Sequence, residues 1–594
     1  MNGRDDFSAT ATPRSPRAPR WFVPALQMLP LAERRCLVRN LLDNMGMELS
    51  SGEYAVLSAC EGARSLDEHE ARAALRLGAP PEHRPAIRAL LESCARSGLL
   101  SAVSDLVSRF GLPRDEVASP LAGIVVRTAD RPRLLRRLLT GAAEMQNRTG
   151  ATYRWYIVDD SRQEQSRRAN REAIAANALL DATHLDLSVA ESLEAELTAA
   201  FPQFSAEVRW LLGAAQGDEV TYGRTQNYLL LRFAGRRLLM ADDDITIQPR
   251  RSALLRPGVE VSVGASAATW YENLDAAFSA CPALELDPFA QHDRWLGRPL
   301  ADAWPRAERG SGGLAIGNLP AELGTSFAPN ARVIFTWNHV LGDPGWDTFE
   351  SQQLNLEPET RRWLAAHPDA ARYAFESQIH CRGPVALRLA PQQSLLTTTV
   401  TGFDNTLLIP PTIRAGRGGD PLLGAAAHCI HPEGWAVVLP FALPHLREER
   451  RQWLTPTDTL VKPAARFIRS QVILRGRSLV AERADQRMEA LGTTLLDLAA
   501  ADDATLTRGL MEGAAEYAAG ILFDIRQQLD DPSLPAGWKH VLSQWFVSPS
   551  FKLDQASLRA RIPSPQEVRS MASGYGCALQ VWPQLWSFCR GRFR

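Results

Sequence analysis

RLLMADDDITIQP, Arg237 to Pro249, decides how the chain is read: an apolar run, Leu238 to Ala241, stops abruptly at Asp242, Asp243 and Asp244. A short apolar run bounded by polar turn residues is the pattern of a buried strand. A strand that delivers carboxylates at its C-terminal end sets them where open α/β sheets bind ligands. Carboxylate oxygens are also the donors that hard divalent cations prefer. In a chain with 67 Asp and Glu, three aspartates are as readily a solvated turn, so the surrounding sequence carries the weight.

Working outward, GIVVRTADRPRLLRRLL (Gly123 to Leu139) reads as a buried strand, a polar turn and an amphipathic helix with Leu134, Leu135, Leu138 and Leu139 on one face. Pro132 suits the first helical turn. YRWYIVDDSRQ (Tyr153 to Gln163) supplies a second strand, Trp155 to Val158, ending in Asp159, Asp160 and Ser161. The two strands and their helix predict a right-handed, parallel βαβ unit. EVTYGRTQNYLLLRFAGRRLLMADDD (Glu219 to Asp244) adds a helix over Thr225 to Phe233, a stop at Gly235 and the strand with the aspartates. One sheet edge therefore collects Thr128, Asp130, Asp159, Asp160, Arg224, Asn227, Asp242 and Asp244.

The order of V-V-R-T-x-x-R-P with its leucine-rich helix, I-V-D-D-S, Gly223-Arg224 with Asn227, and a strand ending in D-D-D resembles family 2 glycosyltransferases of the GT-A fold, over Leu121 to Pro249. The resemblance implies a Rossmann-like mixed α/β sheet and a nucleotide-sugar donor, a UDP-sugar being the expected one. It implies that Asp160 or its neighbour Asp159 accepts hydrogen bonds from the nucleobase, and that Thr128, Arg131 and Asn227 lie at the nucleotide. Asp242 and Asp244 would bind Mn²⁺ or Mg²⁺ bridging the diphosphate, with Arg224 as a second positive contact. The family usually has Arg directly before the Asn, where this chain has Gln226.

The resemblance also implies a base on a later loop before a helix. IPPTIRAGRGGDPLLG (Ile409 to Gly424) matches with Asp420, although many members read Glu-Asp where this chain has Gly419-Asp420. Asp404 in TGFDNT is a competitor, and a helix-capping role is the plain alternative for Asp420. In AAAHCIHPEGW, His428 or His431 can serve as a further metal ligand, and His431 is the one taken here.

Residues 1–20 are Pro-, Arg- and Ser-rich and read as a disordered tail with no apolar signal region. Residues 21–112 read as mainly helical, with capping-box pairs Ser50/Glu53 and Ser65/Glu68 and a strand or wing at Leu99 to Val103. The rhythm resembles a winged helix, and more particularly the leader-peptide recognition element of ribosomal peptide modification systems. Such domains add a precursor peptide as a strand to a sheet edge. DNA binding is the competing reading, but Arg88 and Arg96 are offset by Glu92, so no strongly basic recognition helix is present, and a plain helical accessory domain is the third reading.

Residues 120–445 then form the catalytic domain and 446–594 a helical C-terminal module, whose FIRSQVILRGRSLVAERADQRMEALG and GLMEGAAEYAAGILFDIRQQL carry the helical period. Among the aromatics between the aspartates and Asp420, Trp270, Tyr271, Trp295, Trp304 and Trp337, packing is the default role. GSGGLAIG, 310–317, lacks a P-loop lysine and reads as a loop and strand start.

A net charge of −1 points away from nucleic acid or an anionic membrane as principal partner. No apolar run approaches the roughly 20 residues of a membrane span. Eight cysteines without a CxxC pair suit reduced thiols in the cytoplasm. The expected function is a metal-dependent, inverting glycosyl transfer to a peptide or protein in the cytoplasm. A polysaccharide or small-molecule acceptor is one alternative. A nucleotidyltransferase-like or inactive GT-A domain with a DNA-binding regulatory domain is the other.

Overall fold

The computed structural model describes residues 19–24, 26–31, 34–114, 116–214, 221–263, 266–309, 314–316, 326–343, 353–377, 379–391, 399–448, 464–476, 478–548 and 551–593. The tail expected at residues 1–20 falls outside them except for its last two residues.

Among the described residues, the region from Trp21 does not begin with helices. β1 (Trp21–Phe22) is followed by an antiparallel sheet of β2 (Leu26–Pro30), β3 (Arg35–Asn40) and β4 (Gly46–Ser50). Alternation explains it: Cys36, Val38 and Asn40 point inward from β3 while Arg35, Leu37 and Arg39 point out. Helices Ser51–Ser58, Leu66–Leu77 and Arg84–Arg96 follow, and both expected capping boxes form, Ser50 with Glu53 and Ser65 with Glu68. The expected strand after the third helix is β5 (Ser101–Ala102), which pairs with β1.

A mixed sheet of twelve strands forms the body of the molecule. Its strands are β6 (Leu121–Thr128), β7 (Arg154–Asp159), β8 (Asp181–Asp186), β9 (Arg236–Asp242), β10 (Val259–Val261), β11 (Ala267–Tyr271), β12 (Leu314–Ile316), β13 (Arg332–Gly342), β14 (Ile379–Gly383), β15 (Leu387–Pro391), β16 (Val400–Asn405) and β17 (Gly434–His445). The βαβ unit is as expected: β6 and β7 are parallel, joined by helix Pro132–Thr149 with Pro132 in its first turn. The chain steps outward from β6 to β7 to β8, then returns to place β9 parallel to β6 on its other side. That reversal makes a topological switch point between β6 and β9, the place where an open α/β sheet leaves a crevice at its carboxyl edge. Beyond β9 the sheet is mixed. β16 runs antiparallel to both β9 and β13, and β13 is parallel to β17.

Alternate residues of β6 feed two cores. Val125 joins helix Tyr222–Arg232 and helix Gly419–Ile430, whereas Ile124 and Val126 join the packing of helix Pro132–Thr149. The C-terminal helices Ala464–Gly476, Ala484–Ala500 and Pro565–Arg592 pack into the first of these cores. Helix Pro565–Arg592 also donates to the chain leading toward Asp420: Tyr575 Oη to Pro411 O at 3.0 Å, Trp582 Nε1 to Ile409 O at 2.8 Å and Trp586 Nε1 to Asn405 Oδ1 at 3.1 Å. Trp270, Trp295 and Trp304 are buried, in keeping with packing.

The N-terminal unit is tied to the sheet by Phe110, 1% exposed, whose ring lies 5.6 Å from Phe327 and 5.7 Å from both Trp304 and Trp435. Asp302 accepts from the backbone N–H groups of Arg114 and Glu116 at 2.8 and 3.2 Å. Phe110→Ala is therefore expected to cost about 3–5 kcal/mol in urea denaturation. A loss under about 1 kcal/mol would mean that this aromatic cluster does not hold the two parts together. Among the described residues, no helix is long and apolar enough to cross a membrane.

Candidate metal centre

Strand register assembles the site. Arg127 stands opposite Asp242, Thr128 opposite Asp159, and Asp159 opposite Asp186, so the polar ends of β6 to β9 share one edge. The chain then turns, and Ile245 bridges His445 at the end of β17. Leu446 N–H donates to Asp244 O at 2.8 Å and Thr246 N–H to Pro444 O at 2.9 Å, which holds the turn against β17. As a result one ligand atom each from Asp242, Asp244 and His445 lies within 4.8 Å of the others. Asp244 Oδ1 is 3.0 Å from His445 Nε2.

Among the described residues this is the one group of three metal-capable side chains so gathered, and His445 replaces the expected His431 in it. His431 ends helix Gly419–Ile430, is 5% exposed, and places Nε2 3.0 Å from Leu408 O. The signal for His445 was present in GWAVVLPFALPH, an apolar strand ending in a ligand residue just as RLLMADDD does.

Cations surround the carboxylates. Arg127 donates to Asp242 at 3.0 Å and Thr128 Oγ1 to Asp243 at 2.8 Å; Arg131 lies 3.3 Å from Asp243 and 3.5 Å from Asp244. Burial pushes Asp243 up to about 7, with Asp244 adding to the rise against Arg131 and Thr128. Burial also raises Asp242, opposed by Arg127. Asp244 moves the other way, because its burial is outweighed by the hydrogen bond and charge of His445 and by Arg131 and Arg447. His445 is correspondingly raised in spite of its burial. Two carboxylates and an imidazole brought this close could hold a metal ion.

The neighbouring aspartates of β7 have separate surroundings. Asp159 is enclosed: it accepts from Asn170 Nδ2 at 2.9 Å and Ser161 N at 3.0 Å, and His184 Nε2 lies 3.0 Å away. Its burial is outweighed by these bonds, so its carboxyl stays below the usual range. Asp160 faces Arg224 NH1 at 3.1 Å and Thr221 Oγ1 at 3.2 Å, and burial raises it. Arg224 also donates through Nε to Leu212 O at 2.7 Å, leaving NH2 buried without a partner. Asn227 is committed to the backbone: it donates to Leu211 O and Thr412 O and accepts from Thr412 N–H at 2.8 Å. It pins the segment before Asp420 to helix Tyr222–Arg232. Gln226 lies under the site, accepting from Arg127 at 3.4 Å.

Asp420 sits in the first turn of helix Gly419–Ile430. Burial of Arg127 is outweighed by the charges of Asp242 and then Asp420, and the apolar side chains of the Asp420 helix share a core with Val125 and Met240, on the sheet face that carries Arg127. Asp404 is not at this edge. Register sets it opposite Arg237, whereas Val400, four residues earlier, stands opposite Ala241. Four residues of strand span roughly 13 Å. Asp404 is buried there and bound to Arg332 at 2.9 Å.

Comparison of the chain with protein-family models, curated proteins and solved structures finds no match.

Proposed function

We propose that the chain is a divalent-cation-dependent glycosyltransferase that takes a sugar from a nucleotide-sugar donor. The observation that carries the reading is the gathering of Asp242, Asp244 and His445 at the switch point between β6 and β9. A cation held there would neutralise the charge that develops on a departing nucleoside diphosphate. The strand order supports the same reading: three parallel strands, a fourth beside the first, and an antiparallel strand next to the fourth suit a nucleotide-binding half-sheet.

The protein's own residues have distinct parts in this reading. Asp160, set by Arg224 and Thr221, offers its carboxylate to the nucleobase, while Asp159 is consumed in holding the β7 turn. Thr128 and Arg131 orient the acidic turn through Asp243. Asp420 accepts the proton of the attacking acceptor from the face that carries Arg127. Inverting transfer follows from a single displacement, with the acceptor opposite the leaving diphosphate.

Thermal unfolding of the wild type with Mn²⁺ and UDP-sugars or GDP-sugars tests the reading: a rise in Tm that requires both metal and nucleotide is expected. No rise with any nucleotide would sink it. His445→Ala should lose the Mn²⁺-dependent shift while His431→Ala keeps it. The reverse pattern would return the third ligand to His431. Asp420→Asn should retain donor binding and slow transfer by about 10²–10⁴-fold, the usual range for a general base.

The acceptor we favour is a peptide. Its support is the exposed edge of the N-terminal sheet, where β2 pairs with β3 alone among the described strands and Met28, Leu29 and Leu31 are exposed. The basic side chains of helix Arg84–Arg96 do not favour DNA: Arg84 pairs with Glu70, and Arg88 with Glu92 and Asp67. Leu29→Glu with Leu31→Glu should abolish transfer to peptide and leave donor hydrolysis intact.

A further inference from the structure

Two buried polar side chains near the metal centre have no hydrogen-bond partner. Thr401 and His339 are each 1% exposed, and Thr401 Oγ1 and both ring nitrogens of His339 are left unsatisfied. Buried polar groups are nearly always paired, so two orphans in adjoining strands call for an explanation.

Register fixes where they point. Cross-strand partners share a face, and alternate residues of a strand return to it. Val125, Met240, Phe403 and Phe335 form one apolar face. Toward the carboxyl edge of β9 that face continues through Arg127, Asp242, Thr401 and Trp337, for Arg127 is opposite Asp242, and Thr401 is opposite both Met240 and Trp337. His339 follows Trp337 by two residues and completes the tier. Thr399, which alternation would set between Asp242 and His339, instead donates to Asn338 at 3.1 Å, and Asn338 Oδ1 lies 3.3 Å from His292 Nε2 behind the sheet. Asp242 and His339 are thus separated by two strand spacings, roughly 9–10 Å. The floor between them is Thr401 and the half-buried Trp337. The imidazole is seated against Gly383, where an added Cβ would meet it at 2.0 Å.

We propose that this tier binds the glycosyl ring of the donor: Thr401 Oγ1 and the His339 imidazole hydrogen-bond its hydroxyls, and the Trp337 indole packs against its C–H face. The inference rests on the transferase reading. In that reading the sugar carbon is bonded to the phosphate next to the cation, so the ring must lie within one ring-width of Asp242. Neither His339 nor Thr401 has an acidic partner, and neutral hydroxyls are the groups that satisfy both.

Titration of the full chain with UDP, UDP-glucose, UDP-N-acetylglucosamine, GDP and GDP-mannose in Mn²⁺ tests it, for the wild type, Thr401→Val and His339→Phe. At least one sugar nucleotide should bind more tightly than its parent diphosphate. Each substitution should cut that advantage by about tenfold, the scale of one hydrogen bond between neutral groups. Affinity for the diphosphate itself should stay, and Tm without nucleotide should hold or rise, because an unsatisfied buried group has been removed. An unchanged ratio with normal diphosphate binding would overturn the inference and leave the transferase reading standing. A fall of several degrees in Tm in both variants would mark the pair as structural and overturn it too. Failure of the wild type to bind any diphosphate would bring down both.

Discussion

Replacing Asp244 with asparagine is expected to abolish the rise in Tm with Mn²⁺ and a nucleotide sugar that the proposed function predicts. Of the two carboxylates in the candidate group, Asp244 is the one held ionised: His445, Arg131 and Arg447 converge on it and outweigh its burial. Asparagine keeps the shape but removes the charge that a cation needs and the partner that orients His445. The loss should exceed the roughly 10–100-fold that removal of an outer partner of a metal ligand costs. Asp243→Asn is the control. Its side chain is engaged with Thr128 and Arg131 and lies outside the candidate group, so the metal response should weaken far less than in Asp244→Asn. Isothermal titration with Mn²⁺ and UDP checks both variants, and equal losses at Asp243 and Asp244 would show that the turn, rather than a ligand set, matters.

Trp582→Ala should be the most damaging single change in the C-terminal helices. The side chain is fully buried, and its indole N–H donates to Ile409 O at 2.8 Å. Removing a buried tryptophan costs about 3–5 kcal/mol, and the carbonyl left without a donor adds to it. Phe523, 62% exposed on another C-terminal helix, should cost under about 0.5 kcal/mol when replaced by alanine. Urea denaturation measures both. Comparable small effects would mean that the C-terminal helices do not share the core of the sheet. By the same reasoning, a chain ending near residue 446 should not fold stably, since helix Pro565–Arg592 supplies much of one core.

What was legible in the sequence was local. The strand–helix–strand rhythm of Gly123 to Val158 and the aspartate-tipped strand could be read because each rests on periodicity within a few residues. The N-terminal sheet was hidden because some of its outward positions are apolar: Leu37 and Leu29 blur the alternation that Cys36 and Val38 would otherwise display. His445 was hidden for another reason. Its strand-end position is a local signal, but that it meets these aspartates depends on the pairing of Ile245 with His445, a contact across 200 positions. Asp159 and Asp160 are adjacent and chemically identical in the sequence. Only the fold gives one of them His184 and Asn170 and turns the other toward Arg224. Thr401 and His339 show the same limit, for a missing partner is invisible until every neighbour is in place.

The bond from Trp582 to Ile409 also orders events in time. Its two ends are 173 residues apart, so at the usual 5–20 residues per second of synthesis they emerge roughly 9–35 seconds apart. From His445 onward in that interval a nascent chain carries the aspartates, Asp420 and His445 but lacks the helix that fastens the segment before Asp420. The candidate site is therefore fastened late in translation, and a ribosome that stalls between His445 and Trp582 leaves a product with Asp242, Asp244 and His445 but without that fastening.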